Sequence, residues 1–216
     1  MKLKAAIFDM DGTLLDSMWI WDGMASHYLR ALGQVPDAGL DDVIVKLPFY
    51  ERISYLQKNL LPSLSFEEIE AGIDRTVAGL YREVVPKAGV CEMLSAFSSA
   101  GIPMAVATLS DREKVEATLS RLGLLHHFSA IFTCREVGAS KSSPAIYEAA
   151  LSALGAEKAA TPVFEDAFYA VKTAHRAGFP VFAVHDKSPE CRFEEAARLA
   201  TLAIRDYREI RWEEFL

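Results

Sequence analysis

The chain has 216 residues, of which 51% are hydrophobic and 25% are charged, and its formal net charge is −7. This composition is ordinary for a globular protein, and the length allows one large domain or a core with a small insertion. The negative charge argues against a nucleic acid or an anionic membrane as the main partner, and no apolar run is long enough to span a bilayer.

The first predicted element is a short strand that ends at two carboxylates. Residues 3–8 form an apolar run interrupted only by Lys4, which predicts a strand buried on both faces, and Asp9, Asp11 and Gly12 follow it. Two carboxylates that converge past a strand either share a proton or share a cation. An acidic turn with solvated charges is the alternative, and a calcium loop is disfavoured because Leu14 stands where that loop needs glycine.

The next segment is predicted to be entirely helical. Apolar residues recur at helical spacing from residue 18 to residue 84, and Ser65 with Glu68 is typical of a capping box. The predicted helices cover residues 18–32, 41–46, 49–60 and 65–84. No part of this segment resembles a strand, so we expect a helical insertion at residues 17–85.

From residue 86 onward, strands and helices alternate. The predicted strands are 103–108, 130–133, 162–164, 180–184 and 201–204, and the predicted helices are 89–100, 111–122, 143–154, 167–177, 189–199 and 207–215. This alternation predicts an α/β fold with right-handed crossovers and a mostly parallel sheet. The core is therefore expected to consist of residues 1–16 and 86–216.

Polar residues follow three of the later elements. Thr108 and Ser110 come at the end of a strand, where hydroxyls and helix amides form anion sites, although Ser110 alone is more typical of a helix N-cap. Lys141 lies in a loop before a helix, and by itself it indicates a solvated charge. Glu165 and Asp166 follow another strand, and either one alone would suit a helix N-cap.

Taken together, these residues resemble a known family. The run from Asp9 to Ser17 is similar to the first motif of the haloacid dehalogenase-like hydrolases, in the branch of the phosphoglycolate phosphatases and β-phosphoglucomutases. Three further positions resemble the second, third and fourth motifs of the family, in order: Thr108, Lys141 before Pro144, and Glu165 with Asp166. The resemblance implies a Rossmann-like catalytic core at 1–16 and 86–216 with a helical cap domain at 17–85.

The resemblance also implies a reaction, the Mg²⁺-dependent hydrolysis of a small phosphorylated metabolite. Asp9 is the expected nucleophile, which forms an aspartyl-phosphate, and Asp11 is the expected general acid and base. The expected phosphate ligands are Thr108, the backbone amide of Leu109, and Lys141. The expected Mg²⁺ ligands are Asp9, the Asp11 backbone carbonyl, Asp166 and Glu165.

Two departures from the family pattern affect this interpretation only slightly. Leu109 stands where the family often has Ser or Asn, but that position contributes its backbone amide. Ser142 replaces the first proline of the third motif, which leaves the charge of Lys141 in place. The three cysteines lack ligand spacing and favour free thiols in a reducing compartment, so we expect a cytoplasmic protein. We also expect a monomer or weak dimer.

Two other functions stay open at this point. A phosphomutase would use the same site, although Trp21 and residues 47–49 differ from the mutase pattern in the insertion. A binding protein with a phosphate pocket would be expected to have a damaged catalytic set, whereas this set is intact. The apolar side chains at helical spacing in residues 18–32 suit packing better than a substrate mouth; they are Trp19, Trp21, Met24 and Tyr28. The insertion's candidates for a second charged contact with the substrate are His27, Arg30, Lys46 and Arg52, and solvated surface is the default expectation for each.

Overall fold

Six short apolar strands form one parallel sheet in the computed structural model, which describes residues 1–216. The strands of this sheet are β1 (Ala6–Phe8), β4 (Met104–Thr108), β5 (Ala130–Thr133), β6 (Val163–Glu165), β7 (Val181–Val184) and β8 (Leu202–Ile204). Their spatial order is β5-β4-β1-β6-β7-β8, so β1 lies between β4 and β6. A separate antiparallel pair joins β2 (Leu15–Asp16) to β3 (Val85–Pro86).

Helices alternate with the strands along the second part of the chain. They are α6 (Val90–Ser99), α7 (Arg112–Arg121), α8 (Cys134–Val137), α9 (Ala145–Leu154), α10 (Phe168–Arg176) and α11 (Phe193–Ala197). Each parallel pair of strands needs a crossover, and these helices provide it while covering the faces of the sheet. The predicted α/β class with a mostly parallel sheet is therefore confirmed.

The centre of the sheet is buried on both faces, as the apolar run of the first strand predicted. Every residue of β1 is fully buried, and Phe8 stacks on Phe164 of β6 with ring centroids 4.2 Å apart. A strand anchored in this way has little freedom to move, so the residues at its carboxyl end are held rigidly.

The chain divides into two compact units, Met1–Asp16 with Val85–Leu216 and the segment Ser17–Val84. The second unit contains only helices: α1 (Met18–Asp22), α2 (Met24–Ala31), α3 (Leu40–Ile44), α4 (Phe49–Asn59) and α5 (Phe66–Leu80). The expected capping box is present at the start of α5, where Ser65 and Glu68 bond each other's backbone amides. The role of residues 17–85 as a cap stays a prediction. None of the helices in either unit combines the length and apolar character needed to cross a bilayer.

Two expectations about the helical unit are wrong. The single helix predicted for 18–32 is broken at Gly23 into α1 and α2, since glycine is a poor helix former. Arg52 is not solvated surface. Its guanidinium is buried and donates hydrogen bonds to the backbone carbonyls of Val45 and Leu47, each at 2.8 Å.

The two last predicted helices are also wrong in extent. The helix predicted for 189–199 is reduced to α11, because Arg192 adopts a left-handed conformation with φ of 43° and the preceding residues form a turn. The helix predicted for 207–215 consists instead of two short 3₁₀ turns, Tyr207–Glu209 and Trp212–Glu214. Most other predicted bounds agree with the structure to within two residues.

Candidate active site

Three neighbouring strands end at polar residues on the same edge of the sheet. Asp9 follows β1, Thr108 ends β4, and Glu165 ends β6 with Asp166 directly after it. Because β4 and β6 flank β1 and all three run parallel, their carboxyl ends lie side by side. The topology therefore brings together residues that are up to 157 positions apart in the chain, from Asp9 to Asp166.

Lys141 lies between two of the carboxylates. It comes from the loop between α8 and α9, and its ammonium donates hydrogen bonds to Asp9 Oδ1 and Glu165 Oε1, each at 2.5 Å. The side chain is only 2% exposed, and a buried lysine needs charged partners of this kind. The interpretation of Lys141 as a solvated charge is therefore wrong.

Glu165 is fully buried, and its two carboxylate oxygens have different surroundings. Tyr147 on α9 donates its phenolic O–H to Oε1 at 2.7 Å, beside the bond from Lys141. Oε2 has no hydrogen-bond partner, and it is the one buried side-chain oxygen or nitrogen in that condition. Leaving a buried polar atom unpaired costs roughly 1–3 kcal/mol, so this oxygen marks a place that suits a cation or a donor.

Burial raises the pKa values of two carboxyl groups in this cluster, Asp9 and Asp166. For Asp9 the pKa reaches about 7, because burial outweighs the opposing effect of Lys141 and Glu165 adds to the rise. For Asp166 the pKa lies well above its usual range, through burial and the nearby charges of Asp9 and Glu165. Burial alone would lower the pKa of Lys141, but the two carboxylates it contacts raise it, so the lysine stays charged. The site therefore contains one buried ammonium, that of Lys141, and three buried carboxyl groups, those of Asp9, Glu165 and Asp166.

The residues present fit a small, hard cation. Ligand oxygens of Asp9, Glu165 and Asp166 lie within 4.8 Å of one another. Such oxygen ligands suit Mg²⁺, and a positive charge would favour the ionised form of each carboxylate and give the unpaired Glu165 oxygen a partner. Thr13 orients one of the three, since its hydroxyl donates to Asp166 Oδ1 at 2.8 Å.

The structure also brings Asp11 to this edge, where Ser110 contacts it. The Ser110 hydroxyl donates to Asp11 Oδ2 at 2.8 Å, and the Ser110 amide donates to Thr108 Oγ1 at 3.0 Å. The interpretation of Ser110 as a helix N-cap is wrong, because Asp111 is the residue that precedes α7. Leu109, between the two hydroxyls, has a side chain that is 57% exposed, and its expected backbone contact with phosphate stays a prediction.

Three residues of the site were not predicted from the sequence, namely Thr13, Ser110 and Tyr147. Thr13 lies inside the first motif and Ser110 directly follows Leu109, but the sequence alone assigned neither of them a contact in the site. Tyr147 gave no separate signal, because it occupies an apolar position of α9 and only its hydroxyl reaches the site.

Comparison with known protein families agrees with the resemblance of the sequence motifs. The family model of the haloacid dehalogenase-like hydrolases matches residues 6–184 of the chain. The chain belongs to this family. The matched range contains every site residue described above, so the predicted family and the predicted class of hydrolytic enzyme are confirmed.

This haloacid dehalogenase-like hydrolase is similar to several named proteins. It is 28% identical to the validoxylamine A 7′-phosphate phosphatase of Streptomyces hygroscopicus subsp. limoneus, over 97% of this chain and 96% of that protein. It is 29% identical to the fructose-1-phosphate phosphatase YqaB of Escherichia coli (strain K12), over 82% of this chain and 94% of that protein. Among solved structures, a provisionally named β-phosphoglucomutase from Thermotoga maritima matches with a TM-score of 0.85 and 25% identity, covering 99% of this chain and 100% of that one.

Proposed function

We propose that this protein is a Mg²⁺-dependent phosphatase that hydrolyses a small phosphorylated metabolite through an aspartyl-phosphate on Asp9. The observation that carries the proposal is the position of Asp9, at the end of a rigid central strand with a buried ammonium bonded to one of its oxygens. The named phosphatases among its relatives support this reaction class. The predictions of a cytoplasmic location, a monomer or weak dimer, and no nucleic-acid or membrane partner are kept with it.

In the first step, Asp9 displaces the alcohol from the phosphate ester. Lys141 bonds Oδ1 of Asp9 at 2.5 Å, so Oδ2 is the oxygen that attacks phosphorus. The bond from Oδ2 to phosphorus forms, the bond from phosphorus to the ester oxygen breaks, and Asp11 gives its proton to the departing oxygen. Lys141, the Thr108 hydroxyl and the Leu109 amide stabilise the negative charge on the equatorial oxygens.

In the second step, water releases the phosphate. The ionised Asp11 takes a proton from the water, whose oxygen attacks phosphorus, and the bond to Asp9 breaks. Asp9 returns to its carboxylate and Asp11 to its protonated form, so the cycle closes with one alcohol and one inorganic phosphate. Splitting one difficult displacement into two easier ones is the benefit of a covalent intermediate.

The metal proposal depends on the acidic cluster. Asp9, Asp166, Glu165 and the backbone carbonyl of Asp11 are the proposed ligands, with Asp166 supported by its orientation through Thr13. When bound, Mg²⁺ offsets negative charge on the carboxylates and on the substrate phosphate. Glu165 also has a role that does not depend on the metal, because its Oε1 accepts a hydrogen bond from Lys141 and positions that side chain.

The experiment that tests the function measures phosphate release from a panel of sugar, nucleotide and small-acid phosphates. The wild type is compared with Asp9→Asn, in Mg²⁺ and in chelator, and Glu148→Gln serves as an acidic control outside the site. We expect release that requires both the metal and Asp9, with the control unaffected. Release that persists in Asp9→Asn would contradict the proposal.

The phosphomutase is the alternative, favoured by the similarity to the provisionally named β-phosphoglucomutase. It would use the same aspartyl-phosphate but return the phosphoryl group to a sugar rather than to water. Conversion of a sugar 1-phosphate to its 6-phosphate faster than phosphate release would support the mutase. Tight binding of a panel compound without turnover would favour a binding protein.

A further inference from the structure

Ser110 contacts Asp11, but the proposed mechanism gives Ser110 no role. Ser110 is 5% exposed, so its hydroxyl is withdrawn from bulk solvent, and it donates to Asp11 Oδ2 at 2.8 Å. A buried hydroxyl that bonds a carboxyl oxygen restricts the rotation of that carboxyl group, because rotation would break the bond and leave a buried donor unpaired.

The pairing of strands β1 and β4 explains why these two residues meet. Phe8 of β1 is in register with Val106 of β4. Asp11 lies three residues beyond Phe8, and Ser110 lies four residues beyond Val106. Both residues therefore lie in the loops that follow two neighbouring strands, and this places their side chains close to each other.

Ser110 is also linked to the proposed phosphate ligand Thr108. A hydroxyl has one donor and two acceptor sites, and the Ser110 amide occupies an acceptor site of Thr108 at 3.0 Å. The O–H of Thr108 is thereby left to donate to a phosphate oxygen. Residues 108–110 thus link the proposed phosphate ligand Thr108 to the proposed acid Asp11 through Ser110.

We propose that Ser110 is a positioning residue that holds the Asp11 carboxyl at a fixed distance from the phosphate group. This inference rests on the proposed function, because it assigns Ser110 an effect through the acid and base Asp11. Proton transfer needs a donor and acceptor within about 2.6–3.2 Å, so a carboxyl that rotates freely spends less time in reach of the leaving oxygen. In this proposal Ser110 acts through the Asp11 carboxyl, to which it is hydrogen-bonded, and not on the substrate.

The experiment compares two leaving groups in the variant Ser110→Ala. One substrate is the alkyl phosphate that the wild type hydrolyses fastest, whose alkoxide needs a proton in order to leave. The other is p-nitrophenyl phosphate, whose phenolate leaves without one. The quantity compared is kcat/KM, because it reports the steps up to departure of the leaving group and excludes hydrolysis of the aspartyl-phosphate.

We expect kcat/KM to fall about tenfold for the alkyl phosphate and less than about twofold for p-nitrophenyl phosphate, since general acid catalysis contributes roughly 10²–10⁴-fold and only the orientation of the acid is lost. Ser110→Thr keeps the hydroxyl and should restore much of the loss. Ser129→Ala is the matched control, because Ser129 donates to the Met104 carbonyl at the opposite end of β4 and should affect neither substrate.

Three results would overturn the inference while leaving the proposed function intact. They are an equal loss on both substrates, no loss on either, and a raised inhibition constant for inorganic phosphate, which would make Ser110 a phosphate ligand. The melting temperature of each variant separates these results from simple unfolding. If the wild type hydrolyses no phosphate ester at all, the proposed function fails and the inference fails with it.

Discussion

Lys141 is the residue on which the charge balance of the site depends. Its side chain is 2% exposed, and its ammonium bonds two carboxylates, Asp9 and Glu165. Removing one partner from a buried ion pair leaves an uncompensated charge, which is far more costly than losing a pair at the surface. The lysine is therefore expected to matter for folding as well as for phosphate binding.

The variant Lys141→Met tests this difference. We expect the free energy of unfolding to fall by roughly 3–5 kcal/mol, since two buried carboxylates lose their cation. Lys158→Met is the matched control, because Lys158 forms a pair with Glu148 at 2.5 Å in which both side chains are at least one-third exposed. A surface pair of this kind contributes about 0–1 kcal/mol. Equal losses in urea unfolding in the presence of chelator would contradict the prediction.

Tyr147 supplies the second donor to Glu165 Oε1, and its ring packs in the core. The variant Tyr147→Phe keeps the ring and removes only the O–H group. We expect it to lower the free energy of unfolding by about 1.5–3 kcal/mol, because hydrogen bonds to charged groups lie in this range. Tyr50→Phe is the control, since Tyr50 is 67% exposed. Similar midpoints in urea for the two variants would count against the role of this hydroxyl.

At the scale of elements, the short C-terminal turns contribute to the core although they are not helices. Tyr207 and Trp212 are buried, and the Trp212 indole N–H donates to the Tyr207 carbonyl at 3.2 Å. The Tyr207 hydroxyl donates to the Thr13 carbonyl at 3.1 Å, which connects this segment to the loop after β1. The segment thus supports the loop that contains Asp11 and Thr13.

Gly89, at the start of α6, lies close to the C-terminal turn Tyr207–Glu209. It has a φ of +84°, and a Cβ there would lie 2.8 Å from the Arg208 amide nitrogen and 2.9 Å from Tyr207 Cβ. Gly101 also has a positive φ, +70°, but a Cβ there would meet no atom within 4 Å. We expect Gly89→Ala to be less stable than Gly101→Ala by about 1–3 kcal/mol, because both share the backbone strain and only the first is overpacked. Equal thermal midpoints for the two variants would contradict this close approach.

At the scale of the whole molecule, the buried acidic cluster couples folding to pH, and a bound cation would couple it to metal concentration as well. Because the folded protein raises the pKa of Asp9 from 3.8 to about 7, it keeps a proton in that pH range that the unfolded chain releases. The contribution of this group to stability is therefore present below pH 3.8 and is lost as the pH rises toward 7. A cation that binds the ionised carboxylates acts in the opposite direction.

We therefore expect millimolar Mg²⁺ to raise the melting temperature of the wild type, and to raise it more at pH 7.5 than at pH 5.5. Protons compete with the metal for Asp9 and Asp166 at the lower pH, which explains the direction of the change. Asp166→Asn should reduce the gain at pH 7.5. A gain of the same size at both values, measured in matched buffers against chelator, would disagree with this account.

The sequence by itself determined the sheet, the family and the main candidates for the site. Continuous apolar runs, helix-terminating glycines and turn residues are local properties, so the apolar run before Asp9 and the later alternation were sufficient to predict a parallel α/β fold. The positions of Thr108, Lys141 and Asp166 relative to the strands followed from the same local pattern, with the family resemblance adding their expected roles.

Only the tertiary structure decided which groups contact one another. Three contacts of the site join residues that lie apart in the chain. They are the bond from Ser110 to Asp11, the bond from the Tyr147 hydroxyl to Glu165, and the ion pair of the buried Lys141 with Asp9. Such contacts depend on strand order and on side-chain direction at the edge of the sheet, which local propensity does not contain. For the same reason, the extents of α11 and of the C-terminal turns were wrong from the sequence, because long-range packing and the left-handed Arg192 override helical propensity there.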